Sequence, residues 1–276
     1  MKMLSTEMAP RESLVASWLP WLGLGVAVSP VLASMAETFW RAPHSRPALL
    51  AAVLLAFALA RTGAPSVPAH RDGGVGLALG LLMVVFGLAG ETEFVARLGI
   101  PVAALGLARL AGRPDARTAA LLFFAVPVPA TLLMLVSPAL ELQLGRLALL
   151  AANGLGASLE LSGRTWVGTA GRLELTPPDN GLPLVPMLAG LGWYAGLRAA
   201  GDLRTCATRA LAFGVITIPL QLAGLVVAAC LLWAGSPDAG HVWLSRGLWL
   251  TIAVAGLVWI ERQGPRSSTV SHGGAN

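Results

Sequence analysis

The sequence predicts an all-α polytopic membrane protein, with about eight transmembrane helices, an amphipathic interfacial helix and a short β-hairpin on the outer face. Three observations lead there. Of the 276 residues, 55% are hydrophobic and 12% are charged, where soluble domains carry ~25% charged residues. Mean hydropathy is +0.71. Apolar runs recur along the chain, most of them near the ~20 residues needed to cross a bilayer core. These figures exclude a soluble enzyme, a disordered tail and a nucleic-acid binder. The formal net charge of +5 belongs to arginines that flank and orient spans.

Spans are expected near 14–35, 48–60, 74–90, 94–111, 119–137, 181–199, 210–234 and 243–260. Lys2 and Arg11 followed by an apolar stretch resemble a secretory signal. Residues 14–35 exceed a usual signal core of 7–15 residues, so they read as a retained first span. Pro127 and Pro129 each remove a backbone donor from the fifth span, and Pro219 does so in the seventh. Between the fifth and sixth spans the pattern changes. In 138–162, Glu141, Gln143, Arg146 and Asn153 interrupt a Leu/Ala face, as in a helix lying at the interface. Residues 163–176 alternate polar and apolar around Gly168 and Gly171, which is a hairpin pattern. The chain thus reads as a single integral-membrane domain over 1–263, with an outer-face insert at 138–180. Residues 264–276 read as a disordered cytoplasmic tail.

Charge placement gives an orientation. With both termini inside, cytoplasmic segments hold 12 of the 19 basic residues and outer segments hold 6, with Arg97 inside a span. Lys/Arg-rich loops resist translocation, so the bias favours this arrangement. The outer loop Glu91-Thr92-Glu93 is acidic, and Trp40, Trp233, Trp243 and Trp249 fall at the outer interface. The expected location is the bacterial inner membrane, multi-pass, with both termini cytoplasmic.

That orientation places Asp179, His241 and His44 on the outer face, and His70 on the other. His241 titrates near neutrality and suits proton transfer; it equally suits a solvated loop. Asp179 is a candidate base or nucleophile, or a cap for the helix beginning near Gly181. Arg164, Arg172 and Arg246 are candidates for binding a carboxylate or phosphate, or interfacial cations. Cys206 lies between two arginines but on the cytoplasmic side, and Cys230 lies in an apolar run; neither belongs to a disulfide framework. No phosphate-binding loop, HExxH or GxSxG is present. No cofactor or metal is expected.

The order of features resembles the exosortase/archaeosortase family of multi-spanning, transpeptidase-like enzymes. The resemblance covers most of the chain. PVLASMAETFWRAPHSRPALLAAVLLAF is similar to the family's first outer loop, with a Trp followed by a His-containing turn. LLFFAVPVPATLLMLVSPALELQLGRLALLAANGLGASLELSG is similar to its Phe-Leu…Pro-x-Pro span and amphipathic helix, and the hairpin RTWVGTAGRLEL follows. The resemblance implies processing of C-terminal sorting signals on exported proteins by Cys, His and Arg. His241 fits the His position. Asp179-Asn180-Gly181-Leu182 stands where the family has Cys-Ser-Gly-Leu, and Leu225 and Ala228 stand at its Asn-x-x-Arg positions.

The site implied is therefore His241 and Asp179, with Arg246 in place of the lost arginine. Asn180, Arg164, Arg172 and His44 would bind substrate. Asp179 and His241 together would activate water, giving a hydrolase. The expected partners are C-terminal tails of exported proteins and the lipid bilayer, with no nucleic acid. Two alternatives stay open: a catalytically inactive binding partner within a sorting or polysaccharide-export system, and a transporter component.

Overall fold

The computed structural model describes residues 12–41, 43–61, 72–111, 115–175, 182–199, 202–243 and 247–262. The chain is mostly helical with one small sheet. It divides into two compact units. The first holds residues up to Glu37 and Leu59–Phe123; the second holds Thr38–Ala58 and the chain from Phe124 onward. The tail expected at 264–276 lies outside the described residues.

In the first unit, helices α1 (Glu12–Ala27) and α2 (Ser29–Arg41) replace the single span expected at 14–35. Leu19–Ala27 and Ser29–Arg41 meet at a 66° bend. The cause is local. Pro30 has no amide hydrogen, and its ring collides with the carbonyl four residues back, on Val26. The Ser29 hydroxyl donates to that carbonyl at 2.8 Å, so the freed acceptor is satisfied inside the bend.

Helices α4 (Gly73–Ala89) and α5 (Glu93–Ala111) match the third and fourth expected spans within a residue or two. They join through a turn of three residues, in which Glu91 takes φ +53° and the Thr92 amide bonds Gly87 O at 2.8 Å. The two backbones touch. A Cβ on Gly99 would lie 2.6 Å from Gly80 O, and one on Gly73 would lie 2.5 Å from Leu110 N. Gly80, Gly87 and Gly106 are closer still to Ala103, Ala96 and Leu77. The apolar bulk of α4 points outward, with Val75, Leu79, Leu82, Val85 and Phe86 exposed. Arg97 pairs with Glu93 one turn earlier and donates to Ser34 Oγ on α2 at 3.0 Å. A short helix α6 (Ala116–Ala119) follows, its first turn capped by Asp115.

In the second unit a 3-10 helix (Pro43–Ala48) leads into α3 (Leu49–Arg61). The expected fifth span and interfacial helix differ from the structure. Residues 120–125 form a 3-10 helix, residues 126–129 are irregular, and α7 runs unbroken from Ala130 to Gly154. Val126 and Val128 each precede a proline, which disfavours helical backbone at both. Pro127 and Pro129 therefore end one element and start the next rather than bending a span; Pro129 is the N-cap of α7. The polar residues of 138–162 form no single face: Glu141 is buried, whereas Gln143 and Arg146 are exposed.

Helix α7 closes with an amide clamp. The Asn153 side chain donates to Leu159 O at 3.0 Å and accepts from Leu159 N at 3.1 Å, and Gly156 takes φ +99° in the turn so held. A three-stranded antiparallel sheet follows: β1 (Glu160–Ser162), β2 (Thr165–Gly168) and β3 (Gly171–Glu174). The hairpin expected at 163–176 is β2–β3. The additional strand β1 comes from residues expected to be helical.

Helices α8 (Leu184–Arg198) and α9 (Leu203–Val215) form an antiparallel pair in which Gly196 sits on Cys206 and Gly192 on Arg209. Helix α10 (Thr217–Trp233) begins after a break at Ile216. Pro219 again explains it, because the carbonyl four residues back belongs to Val215, the last residue of α9. A short α11 (Pro237–Val242) and a final α12 (Leu248–Arg262) complete the unit.

Among the described residues, three helical stretches are long and apolar enough to cross a bilayer: Glu93–Ala111, Thr131–Gly154 and Leu203–Trp233. The bent pair makes a fourth if it counts as one span. Ser45–Leu59, Gly73–Ala89 and Ala116–Ala125 are apolar but shorter. The protein is therefore membrane-associated in character, as its composition indicates.

Candidate functional site

The core of the second unit forms around the sheet. Trp166 on β2 pairs with Leu161 on β1 and Leu173 on β3. These inner residues pack on Leu144, Ala148 and Ala152 of α7 and on Leu225, Ala228, Ala229 and Leu232 of α10. Alternation along the strands turns Arg172 and Glu174 outward. The Trp166 indole is fully buried, and its Nε1 has no hydrogen-bond partner among the described residues.

Two of the expected binding residues are placed by the sheet. Arg172, opposite Val167, is exposed on the outward face, where its guanidinium meets solvent or a ligand. Arg164 lies in the tight β1–β2 turn beside Gly163, whose φ is +64°. Its Nε is 3.6 Å from Glu141 Oε2 on α7, and the Glu141 side chain is 1% exposed. Arg164 thus answers a buried carboxylate and fixes the sheet to the helix. An uncompensated buried charge costs several kcal/mol, so this guanidinium is not spare.

His241 lies in α11, which packs against α10 and β3. The contact runs through the residue before it: a Cβ on Gly240 would lie 2.7 Å from Leu173 Cδ1 and 3.4 Å from Ala228 O. Next along the chain, Trp243 packs on the same core. The backbone carrying His241 is therefore held on the α10 turn that contains Leu225 and Ala228. Leu225 and Ala228 are fully buried among apolar side chains.

His44 belongs to the 3-10 helix Pro43–Ala48. Its neighbour Ser45 is buried and lines a small cleft with Ala48, Pro127, Val128, Leu133, Pro183 and Pro186. Pro183 and Pro186 bring the start of α8 to this cleft. Asp179, Asn180 and Arg246 lie outside the described residues, as do the side chains of His44 and His241. The described candidates fall in two neighbourhoods: the sheet with α10 and α11, and the cleft at the start of α8. Among the described residues, no group of three or more His, Cys, Asp or Glu converges to hold a metal.

Sequence reasoning missed Glu141 as a buried charge, because it counted as one polar interruption among four. The signal lay in its spacing. Leu133, Ser137, Glu141, Leu144, Ala148 and Ala152 recur at three- and four-residue intervals, and all are buried. On α10, Thr217 and Gln221 are likewise buried polar residues one turn apart. Compared with known protein families, curated proteins and solved structures, the chain matches none.

Proposed function

We propose that this chain is an exosortase-like, multi-spanning protein of the bacterial inner membrane. In this reading it recognises C-terminal sorting tails of exported proteins at the outer face. The eight-span topology, with both termini cytoplasmic, belongs to the same reading, the shorter apolar helices serving as further spans. One observation carries it. Three segments that the resemblance assigns to a common site, the hairpin, the α10 turn and the His-bearing segment, pack on one another through Leu173, Ala228 and Gly240.

The same packing favours recognition over processing. Gly240 closes on Ala228, and the apolar core surrounds Leu225 and Ala228. A guanidinium at either position would be buried among the apolar side chains of that core, which is costly. The exposed Arg172 offers a binding contact instead. Its bonds to a carboxylate or backbone carbonyl are charge-assisted.

The test uses the full chain in proteoliposomes. A photoreactive residue at position 172 is presented with a tail peptide made of a short motif, an apolar helix and a basic end. Capture of the tail without cleavage is expected, with a scrambled tail left uncaptured. Equal capture of both tails overturns the reading. Cleavage of the tail that is lost in both Asp179→Asn and His241→Ala replaces recognition by hydrolysis.

A further inference from the structure

We propose that one end of the second unit, where α8 stops, α9 starts and α12 stops, is a docking surface for anionic phospholipid headgroups. Four arginines belong to these segments: Arg198 in the last turn of α8, Arg204 and Arg209 on α9, and Arg262 at the end of α12. Named contacts hold them together. Gly196 packs on Cys206, fixing α8 against α9. The Tyr194 hydroxyl donates to Glu261 Oε1 at 3.1 Å, fixing α8 to α12. Arg198 Nη2 lies 3.8 Å from Glu261 Oε2.

Among the described residues, the acids at this end are already engaged. Asp202 caps α9 by accepting from the Thr205 amide at 2.8 Å, and Glu261 serves Tyr194 and Arg198. Arg209 donates to Ala195 O at 2.8 Å. Arg204 and Arg262 are exposed, and Arg198 Nε has no acceptor among the described residues.

Helix dipoles account for part of this charge. Arginines at the C-terminal ends of α8 and α12 answer the negative poles there. Arg204 is different: it stands two residues after the cap of α9, at the positive pole, where a cation is disfavoured. With the start of α9 already capped by Asp202, the exposed Arg204 guanidinium is left for an external phosphate, to which its bonds are charge-assisted.

The flanks identify the phosphate as a lipid's. Leu203 and Leu211 on α9, and Val258 and Trp259 on α12, are exposed apolar side chains within two turns of these arginines. A soluble anion gains nothing from them, whereas acyl chains do. Basic residues next to an apolar surface are the arrangement that retains acidic lipids.

The test uses the full chain purified in detergent, probed by native mass spectrometry and by unfolding followed through tryptophan fluorescence. Phosphatidylglycerol should be retained at least about tenfold more than phosphatidylcholine, and should raise Tm. The Arg198→Gln/Arg204→Gln/Arg262→Gln variant should lose that preference, and Arg146→Gln, at an exposed position on α7, should keep it. Equal retention of both lipids, or an unchanged preference in the triple variant, overturns the proposal. Inorganic phosphate raising Tm as much as phosphatidylglycerol also overturns it, since the ligand is then a soluble anion. If the triple variant does not fold, the wild type decides. Its preference should fall as salt rises from about 0.1 to about 1 M, where the screening length drops from about 10 to 3 Å; a salt-independent preference overturns the proposal.

Discussion

The α4–α5 pair and the α7–α10 core are both apolar helix contacts, yet they are made from different materials. In α4–α5 the contact surface is backbone. Gly73, Gly80, Gly87, Gly99 and Gly106 remove the side chains that would hold the helices apart, and close packing supplies the attraction. In α7–α10 a fully buried Trp166 and a layer of Leu and Ala from two helices and three strands fill the space. A carboxylate is buried nearby, at Glu141. The first contact tolerates no added atom. The second tolerates no removed one, and it carries polar groups that a backbone contact cannot position. Of the expected recognition residues, Arg164 and Arg172 stand on the sheet of this second contact.

The largest effect expected is from Trp166→Ala, which empties the centre of the sheet and costs about 3–5 kcal/mol in unfolding experiments. A loss under about 1 kcal/mol would mean the sheet is not the keystone of that core. Gly80→Leu should cost about 3 kcal/mol by driving α4 off α5. Gly74→Leu, one position into open space, should fall within about 0.5 kcal/mol of wild type. Equal behaviour of the two variants would erase the contrast between the regions.

Arg164→Ala should cost about 2 kcal/mol, below the range for a fully enclosed pair because Arg164 is itself half exposed. The Glu141→Leu/Arg164→Leu double variant should recover most of that loss, since it removes the buried carboxylate together with its cation. A double-mutant cycle measures the recovery, and strict additivity would show that the two residues do not couple. The smallest effect is from Asn153→Ala. It should cost about 1 kcal/mol and speed amide exchange at Leu155–Leu159 without altering exchange in α4–α5.

The legible parts of the fold were those set by one local rule. Helix α4 appears in the sequence as an uninterrupted apolar run between Asp72 and the acidic turn, α5 as an apolar run broken by Arg97, and β2–β3 appears through alternation and glycine turns. The illegible parts needed two effects at once. Pro30 announces a break in the first span, but only with the Ser29 bond to Val26 does the break become a stable bend. Pro127 and Pro129 look like kinks inside one span, because the capacity of α7 to run past Pro138 is not visible in hydropathy. Strand β1 escaped because Glu160–Ser162 continues a helical pattern, and only the Asn153 clamp turns the chain back.

The candidate site divides in the same way. The motif order pointed to His241, and the segment that carries it packs on α10 at Ala228. The burial of Glu141, and with it the structural duty of Arg164, depends on which face α7 presents to α10 and the sheet, and no local rule sets that face.

The three-residue turn between α4 and α5 has a consequence in time rather than in shape. The most distant backbone contact in that pair joins Gly73 to Leu110, 37 positions apart. Closing so short a segment costs little chain entropy, so the pair can assemble as soon as its second helix leaves the ribosome. Leu144 must wait for Leu225, 81 positions later, before their shared core can close. The sheet-bearing half of the protein is therefore the last to form, and during synthesis it is the part whose unfinished surface a chaperone or insertase has to cover.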